Sequence, residues 1–99
     1  MHARVARYEV PLDRMEDDIR QAVEIEKAVR AIPGNKGLYY FVNRETGHTM
    51  SMSLFETEED LRASATQAAS LRQELTQPTG AKIVSVEEFE TVVMPAEMR

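Results

Sequence analysis

Hydrophobic and polar positions change period several times along this chain, and each change marks an element. In residues 2–10, HARVARYEV, Val5, Tyr8 and Val10 favour a strand, although Arg4 and Arg7 make its alternation imperfect. Pro11, which has no N–H for a ladder, suits the exit from that strand. Residues 12–32 switch to helical spacing. Met15, Ile19, Ala22 and Val23 form one stripe, continued by Ile25, Val29 and Ile32, with charges between. The segment PGNKG at 33–37 stops this helix. LYYFVN at 38–43 is aromatic and β-branched and reads as a strand, RETG at 44–47 closes a hairpin, and HTMSMSLFE at 48–56 is the return strand. Gly47 supplies the positive φ that a type I turn with a bulge requires.

Thr57 is placed to cap a second helix, with Asp60 in the capping-box position and Glu58, Glu59 and Asp60 all favoured by the positive end of the helix dipole. Leu61, Ala65, Ala68, Leu71 and Leu75 keep helical spacing to about residue 76, and QPTGA at 77–81 ends it. A last strand spans 82–94. The order βαββαβ predicts a ferredoxin-like α+β fold: a four-stranded antiparallel sheet with both helices on one face, in a single domain over residues 1–95 with a tail at 96–99.

The hairpin raises a problem of cover. The expected pairing puts Leu38, Tyr40 and Val42 on one face with Met50, Met52 and Leu54, under the helices. The other face then carries Tyr39, Phe41, Asn43, Thr49, Ser51, Ser53 and Phe55, with too few Lys and Glu for a solvated surface. In the last strand, Ile83 and Phe89 lie on one side and Val84, Val86 and Val92 on the other. Both sheet faces therefore call for cover, and one chain has helices for only one. A second copy, packed sheet against sheet, is the economical answer.

Composition narrows the partners. With 42% apolar and 29% charged residues, the chain is globular rather than disordered. A domain this small buries only ~60–70% of its unfolded surface, so self-association helps it. A net charge of -5 and the lack of a Lys/Arg-rich run speak against nucleic acid. The chain contains no cysteine, so disulfides, thiolate nucleophiles and thiolate metal sites are excluded together. No apolar run approaches the ~20 residues of a membrane span, and the N-terminus lacks an apolar signal core. The expectation is a cytoplasmic protein that binds neither membrane nor nucleic acid.

The run GLYYFVNRETGHTMSMSLFETEEDLRASATQAASLRQEL resembles the dimeric α/β-barrel superfamily, especially its antibiotic-biosynthesis-monooxygenase-like branch. A Gly-aromatic strand, a Gly-containing hairpin, a second strand ending in an aromatic plus Glu, and a T/S-x-E-x helix start recur there in this order. The resemblance implies two sheets forming a barrel in a homodimer, helices outside, and a small cavity between sheet and helices in each subunit. It implies binding of a small, largely apolar aromatic ligand, with cofactor-independent oxygenation as the activity. Haem-degrading relatives use an Asn, a Trp and a haem-ligating His. This chain has no Trp, and no His in its second helix or last strand, so no cofactor is expected. The cofactor-free oxygenases commonly use a pocket Trp too, which this chain also lacks. The competing class is a non-catalytic ligand-binding, regulatory or dimerisation module.

The candidate catalytic residues are Tyr40, His48 and Asn43. Tyr40 directs a phenol into the apolar helix–sheet layer, where a ligand or a structural hydrogen bond would satisfy it. His48, expected beside Arg44 on the helix-facing side, is either a base in a pocket or an exposed imidazole flanking the turn. Asn43 either orients a carbonyl or dioxygen or simply flanks the turn. Met50, Met52 and Leu54 are the expected pocket lining, Met being adaptable in apolar sites. No metal site is expected: His2 and His48 are too few, and consecutive helix positions in Glu56–Asp60 do not converge on one ion. Walker, G-x-G-x-x-G, G-x-S-x-G and H-E-x-x-H motifs are absent.

Overall fold

The structure is a computed structural model that describes residues 1–98. In chain order it contains β1 (His2–Glu9), α1 (Met15–Arg30), β2 (Asn35–Val42), β3 (His48–Phe55), α2 (Glu58–Ala63), α3 (Ala65–Thr76) and β4 (Lys82–Glu90), with short 3-10 turns at Leu12–Arg14 and Ala96–Met98. The strands form one antiparallel sheet in the order β2-β3-β1-β4. Helices pack on one face of it, so the expected ferredoxin-like α+β architecture is the one observed. Of the expected tail, Ala96–Met98 is a 3-10 turn, and residue 99 lies outside the described residues.

The buried stripe of α1 runs Met15, Asp18, Ala22, Ile25 and Val29, and Ile32 extends it. Ala22, Ile25 and Val29 pack against Ala6 and Tyr8 of β1 and Leu75 of α3. Val23, expected on this stripe, is 59% exposed, because it lies one position off the 3–4 spacing that the buried residues follow. A second cluster under α2 joins Ile32, Phe55 and Leu61.

The hairpin register differs from the expected one and inverts the faces of β3. Asn43 donates to the His48 carbonyl at 2.8 Å, and Gly47 donates back to the Asn43 carbonyl at 3.0 Å. Four residues therefore lie between paired positions, and an even loop sets odd residues opposite even ones. Val42 pairs with Thr49, Tyr40 with Ser51 and Leu38 with Ser53, while Phe41 pairs with Met50 and Tyr39 with Met52. Thr49, Ser51, Ser53 and Phe55 thus face the helices with Tyr40. His48, Met50, Met52 and Leu54 lie on the opposite face, so the expected lining of the helix–sheet layer by Met50, Met52 and Leu54 is corrected. Gly47 has φ +80, and a Cβ there would meet the Val10 carbonyl oxygen at 2.4 Å, so glycine is required.

Two further differences have local causes. Thr57 caps as expected, its Oγ1 accepting from the Asp60 amide, but the second helix is broken at Ser64. The Leu61 carbonyl, which a continuous helix would offer to the Ala65 amide, accepts instead from Ser64 Oγ at 2.7 Å and Arg4 Nη2 at 2.8 Å. β4 ends at Glu90 rather than 94. Its one neighbour, β1, begins at His2, which pairs with Glu90, and Thr91 closes the pairing with a bond to the Met1 carbonyl. A bulge shifts the β1–β4 register between Arg7 and Tyr8, so Ile83 pairs with Tyr8 while Val86 pairs with Ala6. That changes the expected parity of the last strand. β2 carries a similar irregularity between Asn35 and Gly37.

Arg4 ties these parts together. It is 4% exposed and donates to Ser64 Oγ, the Leu61 carbonyl and Glu88, with its guanidinium 5.9 Å from the Phe55 ring centre. Replacing Arg4 by Leu removes charge-assisted bonds to the α2–α3 break, each worth ~1.5–3 kcal/mol, and leaves Ser64 buried without that partner. Urea denaturation of Arg4→Leu should show a loss of about 2–3 kcal/mol. A loss below about 0.5 kcal/mol would show that the break holds without Arg4.

Candidate functional site

The sheet face under the helices is unusually polar for a core, and the corrected register is the reason. Tyr8, Tyr40, Thr49, Ser51 and Ser53 all project into this layer from β1, β2 and β3. The two phenols lie with ring centres 6.3 Å apart and planes tilted by 49°. Tyr8 is 2% exposed and shares a hydrogen bond with Ser51 Oγ at 3.1 Å. Burial pushes its phenol above the usual tyrosine range, so it is neutral.

Tyr40 is bonded on two sides. Its hydroxyl lies 2.6 Å from Asp18 Oδ2 and 3.0 Å from Thr49 Oγ1. Asp18, on the buried stripe of α1, is 0% exposed, and its other oxygen, Oδ1, has no hydrogen-bond partner among the described residues. Burial raises the Asp18 carboxyl above the usual carboxylate range, opposed by the bond from Tyr40. Burial, then the Asp18 bond, pushes the Tyr40 phenol far above its ordinary value. A phenol has one proton. With Asp18 ionised, Tyr40 donates to Asp18 and accepts from Thr49; with Asp18 protonated, the chain of donors runs the other way. The trio can therefore take up or release one proton without moving a heavy atom.

Two spaces border Tyr40. A cavity of about 50 Å³ lies within the layer, lined by Ala22, Leu38, Tyr40, Ser51, Leu71 and Arg72 among others. An open groove of about 380 Å³ runs between α1 and β2, past Ile19, Val23 and Val42, with Glu26 and Arg44 at its rim. Ala22, Leu38 and Tyr40 line both, so Tyr40 stands in the wall between groove and cavity.

The other candidates are not gathered here. The Asn43 carboxamide oxygen accepts from the Glu45 and Thr46 amides at 3.0 and 3.1 Å and so holds the hairpin turn. His48 is exposed, opposite Glu9 on the helix-free face, and borders a separate open hollow with Arg7, Phe41, Met50 and Val84. Its expected place on the helix-facing side is corrected by the same register that moved the methionines. Met52 and Leu54 border a hollow on the helix-free face that the C-terminal segment overlies through Val93, Pro95 and Met98. The sequence reading missed Asp18, Thr49 and Arg72. Asp18 had a signal: it lies three residues after Met15 and four before Ala22, inside the apolar stripe, where a carboxylate needs a partner. Among the described residues, no group of three or more His, Cys, Asp or Glu could hold a metal ion.

No family model matches the chain, and no curated protein does. Solved structures do. A candidate antibiotic biosynthesis monooxygenase from Deinococcus radiodurans superposes with a TM-score of 0.73 at 12% identity, covering 96% of each chain. Another structure described as an antibiotic biosynthesis monooxygenase gives a TM-score of 0.65 at 14% identity, covering 96% of this chain and all of the other. The haem degrader MhuD from Mycobacterium tuberculosis, solved with two haems in its active site, gives 0.72 at 18% identity, covering 97% of this chain and 100% of that one. The chain thus has the ferredoxin-like fold shared by these antibiotic-biosynthesis-monooxygenase-like proteins.

Proposed function

We propose that this protein binds a small, largely apolar aromatic ligand between sheet and helices and oxygenates it without a cofactor. The observation that carries the reading is Tyr40, which lines both an open groove and a largely apolar cavity and is hydrogen-bonded to Asp18 and Thr49 behind it. In this reading an electron-rich hydroxyanthrone lies in the groove. Its activated CH₂ gives a proton to the Tyr40 oxygen while the Tyr40 proton passes to Asp18 Oδ2. The substrate carbanion bonds to one oxygen atom of O₂ and supplies the electrons, giving a peroxide anion that recovers the proton from Asp18 through Tyr40. Loss of water then converts the CH–OOH carbon to a ketone, so one oxygen atom stays in the product and the other leaves in water. The chain supplies orientation, dryness and a place for one proton, and orientation alone is worth ~7–11 kcal/mol in favourable cases.

Haem does not fit these residues: neither His2 nor His48 lines the cavity, and its volume is about 50 Å³. That size also favours a second reading. An apolar cavity that admits benzene is ~150 Å³, so a non-catalytic module that holds only a small ligand is the alternative. Among the described residues no helix is long and apolar enough to cross a membrane.

We also propose a homodimer through the helix-free sheet face. Tyr39 and Phe41 stack there with ring centres 6.0 Å apart, both 46% exposed, and β4 adds the exposed Phe89 at 42% and Val84 at 51%. Stable interfaces commonly bury ~1,200–2,000 Å² in total, and a sheet-on-sheet pair reaches that range. Sedimentation should give a dimer at tens of micromolar, a concentration of the order expected for a weak complex, and Phe41→Asp should dissociate it. A monomeric parent protein at that concentration would refute the pairing.

Two measurements test the trio. Purified protein should convert a hydroxyanthrone to the quinone with dioxygen alone, and Tyr40→Phe should slow it by ~10-fold or more. Unchanged turnover in Tyr40→Phe removes the relay, and absence of turnover by the parent protein across such substrates selects the non-catalytic module. The second test is stability against pH. Because the folded Asp18 carboxyl is raised, the native state keeps its proton longer than the unfolded chain, so its contribution falls as pH climbs from the ordinary carboxylate range through the raised value. Asp18→Asn lacks this loss. Its stability relative to the parent, from urea midpoints between about pH 4 and pH 8, should rise through that window and then level off. A difference independent of pH would mean that Asp18 titrates normally.

A further inference from the structure

Arginines in this acidic chain are almost all paired. Arg4 meets Glu88, Arg7 meets Glu87, Arg14 and Arg20 share Asp17, Arg30 meets Glu26, Arg44 meets Glu16 and Arg62 meets Glu58. Arg72 is the exception among the described residues. Its guanidinium makes no salt bridge and no hydrogen bond, although the chain has 17 acidic residues to offer. It is not a solvated surface group either: it is half-buried on α3 and lines the central cavity beside Leu71, Ser51 and Ser53. Burial pulls it below the usual arginine range, with the nearby Tyr8 acting in the opposite direction. A guanidinium that is partly desolvated and has no protein acceptor within hydrogen-bond distance loses hydration without a matching bond, and a bound anion would supply one. Arg4 also borders the cavity, but its donors are engaged by Ser64, Leu61 and Glu88.

We infer that Arg72 is the anion-recognising element of this site and selects an apolar ligand that carries one oxyanion, a carboxylate or an ionised phenol. The inference rests on the aromatic-ligand reading above and adds the charge of the ligand to it. The net charge of -5 repels anions at long range, so recognition of one must come from a local donor. An Arg fork matches a planar oxyanion, the Ser51 and Ser53 side chains line the same cavity, and the space of about 50 Å³ is of a size for an acidic head.

The probes are naphthalene-2-carboxylate, its neutral counterpart 2-naphthalenemethanol, and sodium acetate. Calorimetry should show the carboxylate bound roughly tenfold more tightly than the alcohol by the parent protein. Arg72→Met should reduce that preference to within about twofold while leaving alcohol binding in place, and Arg72→Lys should keep part of it. Acetate alone should shift the Arg72 side-chain NMR resonance. The ligand-free Arg72→Met protein should melt at the parent temperature or above it, since an unpaired charge has left the layer. Equal binding of the two naphthalenes, or a preference that survives Arg72→Met, overturns the inference and leaves the aromatic reading standing. An acetate-induced shift with neither naphthalene bound does the reverse. No response of Arg72 to acetate or naphthoate, or a melting temperature several degrees lower in ligand-free Arg72→Met, overturns the inference by making the residue structural.

Discussion

The four-residue connection between Asn43 and His48 governs the rest of this structure. Side chains alternate with period two, so the loop length alone decides which half of β3 lies under the helices. Here the hydroxyl-bearing half does, and the methionine half faces away. Asn43 enforces the choice from both its backbone and its carboxamide, and Gly47 supplies the positive φ that ends the turn. A loop longer or shorter by one residue would put Met50 and Met52 beside Tyr40, and Thr49 and Ser51 on the other side.

That choice makes the interior a compromise. Leu, Ile and Val on α1 and α3 pack the layer, yet two phenols, a fully buried carboxyl and several hydroxyls share it. Most of these polar atoms find one another: Tyr8 with Ser51, Tyr40 with Asp18 and Thr49, Arg4 with Ser64. Asp18 Oδ1 does not, and the half-buried Arg72 guanidinium has no protein partner among the described residues. Satisfied polar groups in a core help to fix its packing, whereas an unpaired one is costly and calls for an explanation, of which the ligand proposed above is one. The two lie on different helices, which is why the site spans the layer rather than belonging to one element.

Element order and type were legible in the sequence because periodicity and punctuation are local. Pro33, Gly34 and Gly37 end one helix, and Thr57 starts the next, without reference to distant residues. The face of β3 depended on a parity of pairing that alternation alone does not reveal. The helix break at Ser64 was invisible for another reason: its partner is Arg4, 60 positions away. Tyr40 was found because an aromatic hydroxyl beside apolar neighbours must be satisfied. Asp18 was overlooked since charges on a helix read as its solvated side, even when their spacing says otherwise. Arg72 escaped notice on the same ground.

The irregular edges of the sheet carry a different consequence. β2 and β4 are the outer strands, and each is interrupted, β2 near Gly37 and β4 opposite Arg7 and Tyr8. An uninterrupted edge is a template on which further chains can add strand by strand without limit, the geometry of fibres. Bulged edges twist that template out of line. What stays available for self-recognition is a face, and a face closes on one partner and is used up. In the homodimer proposed above, the two bulges would thus leave a face to pair while closing the edges to open-ended growth.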